Sequence, residues 1–103
     1  MGYNDLVQVE ATREFRIWID ALRDRQGRSR ILVRIRRLAH GNPGKHRQLA
    51  GGIAELKVDV GPGYRVYYTR RGPRLLLLLA GGDKSSQQRD IALAKELLRH
   101  LED

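Results

Sequence analysis

The chain of 103 residues contains no cysteine. That absence excludes a disulfide framework, a thiolate metal site and a cysteine nucleophile. Long apolar runs are missing too. The longest is Leu75 to Ala80, six residues, against the roughly 20 that a bilayer-spanning helix requires. No charged start leads into an apolar stretch with a small-residue cleavage site, so the expectation is a cytoplasmic protein with no membrane association. Acidic residues are the scarcer charge: 12 Asp and Glu stand against 20 Lys and Arg, giving a net charge of +8. Length and composition together bound the chain to one domain, residues 1–103, with 41% apolar residues for a single core.

The positive charge is of one kind. Sixteen of the 20 basic residues are arginine, whose planar fork of donors matches phosphate oxygens. A small domain of pI 10.6 points to a polyanionic partner, nucleic acid or a nucleoprotein surface. The charge is also uneven. Arg23 to Arg37 holds seven arginines with only Asp24 against them.

Periodicity divides the chain into elements. Residues 3–9 read as a short strand. Thr12 is a candidate N-cap for a helix whose apolar stripe is Phe15, Trp18, Ile19 and Leu22, with Gly27 as its C-terminal stop. Ser29 is placed to cap a second helix that buries Ile31, Ile35 and Leu38. Arg30, Arg34 and Arg37 form another stripe on it. The short break makes these two helices a hairpin, and the breakers from His40 to Gly44 end it. From Gly52 the period changes to two. Ala54 to Val60 and Tyr64 to Thr69 alternate about a Gly61-Pro62-Gly63 turn. Leu75–Leu79 is apolar on both faces, as in a central or doubly covered strand, and Gly81-Gly82 ends it. Residues 90–101 form a last helix. The predicted class is α+β, in the order β-α-α-β-β-β-α: a mostly antiparallel sheet with a helical hairpin packed on one face.

Parity then gathers polar residues. Pairing Val58 with Val66 and Leu56 with Tyr68 puts Glu55, Lys57, Asp59, Arg65 and Tyr67 on the opposite face. In that register Lys57 opposes Tyr67 and Asp59 opposes Arg65, on a sheet face expected to lie open to solvent. His40, His46 and His100 lack metal-ligand spacing. Ser85 and Ser86 lack a nearby histidine, and Gly81 to Ser85 lacks the spacing of a phosphate loop.

In this arrangement, Glu14-Phe15 through Trp18, Gly27 to Ile31, Arg34 to Leu38, Glu55-Leu56-Lys57, the GPGYRVYY segment of residues 61–68, the GGDK of residues 81–84 and Asp90-Ile91 resemble the RelE/ParE superfamily of toxins from toxin–antitoxin modules. The similarity is greatest to its HigB-like, phage-type addiction-module killer branch. The resemblance runs from about residue 5 to residue 100. It implies a toxin that inhibits translation by cutting messenger RNA on the ribosome, a metal-independent endoribonuclease without a cofactor. It also implies a small helix-turn-helix antitoxin as partner, with the toxin monomeric alone and hetero-oligomeric with that partner. The ParE relatives share the fold and poison DNA gyrase, so a gyrase poison and a non-catalytic basic nucleic-acid-binding module stand as the other two readings.

By position, the resemblance assigns Arg65 to the scissile phosphate, Lys57 and Lys84 to catalysis, and His46 to a loop where some relatives carry a functional histidine. Tyr67 substitutes for a tail tyrosine that has no match here. RNA supplies its own nucleophile, the 2′-hydroxyl. Arg65 suits stabilisation of the phosphorane charge, and Lys57 and Lys84 suit phosphate binding, one of them as general acid. Arg30, Arg34, Arg37, Lys45 and Arg47 are candidate RNA-backbone contacts. The antitoxin is expected to shield Arg65 or to lock residues 81–90.

Overall fold

The computed structural model describes residues 7–102. Their order is β1 (Gln8–Ala11), α1 (Arg13–Ala21), α2 (Arg25–Ala39), β2 (His46–Gln48), β3 (Ala54–Val58), β4 (Tyr64–Arg71), β5 (Leu75–Asp83) and α3 (Gln87–Glu102), with single 3₁₀ turns at Ala50–Gly52 and Lys84–Ser86. The class is α+β. Residues 3–6 of the expected first strand lie outside the described residues, and β1 runs on to Ala11. One element is additional: β2, where sequence periodicity has only a loop.

The five strands form one mixed sheet in the order β1-β5-β4-β3-β2. β1 runs parallel to β5, and the other three pairings are antiparallel. Thr12 caps α1 as expected, its Oγ1 accepting from Phe15 N at 3.1 Å. The same hydroxyl donates to Leu79 O at 2.6 Å, which ties the start of α1 to β5.

The boundary between the helices differs from the expectation. α1 stops at Ala21, and Asp24, not Ser29, caps α2. Its carboxylate accepts from Gly27 N at 3.0 Å and from Tyr64 Oη at 2.7 Å. Gly27 therefore sits in the first turn of α2 and stops nothing. A Cβ there would lie 2.5 Å from the Tyr64 ring, so the glycine serves close approach of helix to sheet.

The sheet has two covered faces. Phe15, Ile19, Ile31, Ile35 and Leu38 of the helix pair pack on Leu56, Val58, Val66, Tyr68, Leu76 and Leu78. On the other face Ala94 and Leu98 of α3 pack on Ile53, Tyr67, Leu77, Leu79 and Ala80. That double covering explains the unbroken apolar run in β5. A bulge lies opposite Tyr67/Tyr68: Tyr67 pairs with Ala80 and Tyr68 with Leu78. Leu79 is the residue left over, and it joins Ala80 in the cluster under α3.

Gly81 and Gly82 do not end β5, which runs through both to Asp83. They are packing glycines on opposite faces. A Cβ on Gly81 would strike the Trp18 indole, and one on Gly82 the carboxylate of Asp90. α3 begins at Gln87, three residues before its expected start. Among the described residues no helix is long and apolar enough to cross a membrane.

Candidate functional site

The β3–β4 hairpin fixes the site. Its observed register pairs Leu56 with Val66, Lys57 with Arg65 and Glu55 with Tyr67. Relative to the expected pairing every partner moves by two residues. The hairpin is centred one residue earlier than expected, on Gly61 rather than Pro62, with Gly63 N donating to Val60 O at 2.9 Å and positive φ at Gly61 and Gly63. A two-residue shift preserves parity, so Glu55, Lys57, Arg65 and Tyr67 still share a face.

That face is not open. The N-terminal half of α3 covers it, and Arg65 is 5% exposed while Glu55 and Tyr67 are fully buried. Parity names the face, but only tertiary packing of α3 decides whether solvent reaches it. Glu55 is the hub of the buried part. Gln87 Nε2, from the first turn of α3, donates to Glu55 Oε2 at 2.6 Å. Arg47 Nη2 lies 3.2 Å from Glu55 Oε1, and Arg65 Nε lies 4.0 Å from Glu55 Oε2. Among the described residues, Glu55 Oε1, Arg65 Nε and the Tyr67 hydroxyl are buried with no hydrogen-bond partner. Burial raises Tyr67 well above the usual tyrosine range, and the neighbouring Glu55 carboxylate adds to it. A fully buried phenol held neutral is no accessible base, which removes Tyr67 from the expected catalytic set.

At the turn end the cluster opens to solvent. Arg65 Nη1 donates to its neighbour Tyr64 O at 3.0 Å and lies 3.7 Å from Asp59 Oδ1. Lys45 Nζ donates to Asp59 Oδ2 at 2.5 Å. This hydrogen bond, with the charges of Lys45, Arg65 and Lys84, holds the Asp59 carboxyl below the usual carboxylate range. Lys84 N donates to Gly63 O at 2.9 Å. Gly63 leaves space that a side chain would fill, since a Cβ there would sit 3.3 Å from Lys84 Cδ and 3.8 Å from Arg65 Nη1. The fold thus brings Arg65, Lys57 and Lys84 together, as expected, and adds Lys45 and Arg47. Five cations meet two carboxylates at this corner, and Lys45, Arg47 and Lys84 are exposed at its rim.

The other expected contacts divide. Arg34 is committed to the fold: Nη1 donates to Lys57 O at 2.6 Å, and Nη2 to Pro43 O and Lys45 O, each at 3.0 Å. Burial lowers its pKa, and the charge of Arg37 adds to that. Three backbone carbonyls occupy the guanidinium, which corrects its place in an RNA-facing stripe. Arg30 and Arg37 remain exposed. His46 pairs with Leu56, so it points to the helix-pair face, away from Arg65. Its Nδ1 donates to Gly44 O at 2.8 Å.

Gln87 is the site residue that sequence reasoning missed. No periodic signal marks it, because it lies on α3 in the turn before the apolar stripe begins. Asp59 and Glu55 were legible on the shared face but absent from the expected site set.

No family model matches the chain. A curated protein of Haemophilus influenzae, described as an uncharacterized protein, is 41% identical over 95 residues, which cover 92% of this chain and 96% of that protein. At that identity and coverage, the chain belongs to one family with the uncharacterized Haemophilus influenzae protein.

Proposed function

We propose that the chain is a RelE/ParE-superfamily toxin of the HigB-like branch, which inhibits translation by endonucleolytic cleavage of messenger RNA on the ribosome. The observation that carries this reading is the corner where Arg65, Lys57 and Lys84 converge with Lys45 and Arg47, on a chain of net charge +8. The helix pair on one sheet face and, apart from the additional β2, the order of the elements support this reading.

The chemistry needs little from the protein. The 2′-hydroxyl oxygen of one nucleotide attacks the adjacent phosphorus, and the bond to the 5′-oxygen breaks. The products are a 2′,3′-cyclic phosphate and a 5′-hydroxyl. The 2′-hydroxyl proton leaves to water beside the exposed Asp59 carboxylate. Lys45 and Arg47 hold flanking phosphates. Lys84, exposed at the rim, is placed to protonate the leaving 5′-oxygen. The Nη edge of Arg65 is fixed by Tyr64 O and Asp59, and it faces the charge that grows on phosphorus. A donor already oriented needs no reorganisation at that step. The partner is a small helix-turn-helix antitoxin that covers this corner or residues 81–90.

One observation favours a second reading, a basic nucleic-acid-binding module without catalysis: Arg65 and Tyr67 are both buried. Pulse-labelling after induction separates the readings. Protein synthesis falling first supports the nuclease, and unchanged synthesis of every polymer supports the binding module. DNA synthesis falling first would identify a gyrase poison and refute the proposal.

A further inference from the structure

On the helix-pair face of the sheet, at its β2 edge, lies a concavity of about 260 Å³. Leu38 and Tyr68 form part of its lining, with Pro43, His46, Gln48 and Arg70 around them. Leu38 and Tyr68 are buried, whereas His46, Gln48 and Arg70 are exposed. We infer that this concavity is a binding site for one unstacked nucleobase of a single-stranded RNA. The inference rests on the RNA reading above and adds to it where a base is held, on the face opposite the cationic corner.

Three observations carry it. First, the lining is mixed in the way a base requires. Leu38 and Tyr68 form a buried apolar floor with the half-buried Pro43 beside it, while Gln48, Arg70 and the Tyr68 hydroxyl offer polar groups to a base edge. A bare phosphate would gain nothing from the apolar part. Second, those polar groups are uncommitted. Among the described residues, neither the Gln48 amide, the Tyr68 hydroxyl nor the Arg70 guanidinium takes part in a side-chain hydrogen bond or ion pair. Burial raises the Tyr68 phenol, and Arg70 and Arg34 pull it back, so it remains a neutral donor with cations beside it. Third, the walls are already ordered. His46 Nδ1 donates to Gly44 O at 2.8 Å, and Thr69 Oγ1 donates to Gly52 O at 2.7 Å, which anchors the turn that closes one side.

Strand alternation links this site to the corner. Along β2, His46 and Gln48 pair with Leu56 and Ala54, whereas Arg47 pairs with Glu55. Successive side chains point to opposite faces. β2 is the last strand of the sheet, so a single strand passing over this edge places a phosphate on Arg47 and Lys45 and turns a neighbouring base into the concavity. Donors from Arg70 and Tyr68 favour a base edge rich in acceptors, such as the O6 and N7 of guanine.

The test is fluorescence anisotropy with a labelled eight-nucleotide single-stranded RNA and with an abasic ribose-phosphate chain of the same length and charge. The intact RNA is expected to bind about tenfold tighter, the scale of the base-edge hydrogen bonds that these polar groups make. The charge-neutral double variant Tyr68→Phe, Gln48→Ala should erase most of that preference and leave the affinity for the abasic chain unchanged. Gln48→Ala alone, at an exposed position, should reduce it part of the way. Equal binding of both chains by the unmutated protein would overturn the inference and leave the RNA reading intact. A preference that survives the double variant would do the same. Binding of neither chain at low salt would refute the RNA reading and this site with it.

Discussion

Glu55→Gln is the substitution whose effect the structure defines most closely. The side chain is fully buried. It accepts from Gln87 at 2.6 Å and lies 3.2 Å from Arg47 and 4.0 Å from Arg65. Glutamine keeps the volume and one acceptor but removes the charge. The Arg65 guanidinium, with its side chain 6% exposed, then has only the half-exposed Asp59 opposite it, at 3.7 Å. Removing one partner of a buried pair costs ~3–5 kcal/mol where nothing else compensates. Asp59 compensates in part, so the loss should be about 3 kcal/mol. Urea denaturation reads this directly. With a slope of about 1–3 kcal/mol/M for a small domain, the midpoint should fall by roughly 1–3 M at unchanged slope. Arg65→Met should be costly for the same reason, since it leaves the buried Glu55 only the half-exposed Arg47 as a charge partner. The double variant Glu55→Gln, Arg65→Met should cost less than the two singles added, with a coupling of about 1–3 kcal/mol. A Glu55→Gln protein within about 0.5 kcal/mol of the parent, or strict additivity, would refute the claim that α3 buries a functioning ion pair.

Other outcomes follow from named contacts. Tyr67→Phe should leave stability and any ribonuclease activity unchanged, because its hydroxyl has no partner and no access to solvent; thermal melting and a cleavage assay check it. Gly82→Ala should lower stability by about 1–3 kcal/mol or more, read by calorimetry, since its methyl would overlap the Asp90 carboxylate. Asp24 is held below the usual carboxylate range, first by the Gly27 N–H and then by the Tyr64 hydroxyl. A depressed carboxyl stabilises the fold above its unfolded pKa, and that share is lost as pH falls through the folded value. Asp24→Asn should therefore flatten the acid limb of a stability-against-pH curve below about pH 4. For RNA binding, Arg30→Ala and Arg37→Ala act as exposed cations and should each reduce the salt slope by roughly 0.7 if they meet a phosphate. Arg34→Ala should instead show its loss in thermal stability, because three carbonyls lose their donor.

The elements that sequence makes legible here are those with a period. The stripes of α1 and α2 and the alternation of β3 and β4 each report one buried face, and parity correctly set Glu55, Lys57, Arg65 and Tyr67 together. What escaped has no local signature. Asp24 and Ser29 are both able caps, and Tyr64, forty residues away, selects Asp24 by donating to its free oxygen. Gly27, Gly81 and Gly82 look like stops, yet each is the point where another element comes too close for a Cβ. The register slipped by two because hydrophobic alternation is satisfied equally by either pairing, and the turn alone decides. The open sheet face proved closed because the three residues before Asp90 extend α3 back to Gln87 and over Glu55. Arg34 looked like its stripe-mates Arg30 and Arg37, and only the loop folding back at Pro43 and Lys45 separates them.

The central claim is that the cationic corner at the β3–β4 turn cuts RNA. Mapping 5′-hydroxyl ends of cellular messages after induction tests it most directly, with Lys84→Ala as the paired control because that side chain is exposed. New 5′-hydroxyl ends inside coding regions with the parent protein, and their loss with a folded Lys84→Ala protein, are the predicted result. An unchanged set of message ends with the parent protein, while growth still stops, would contradict the account.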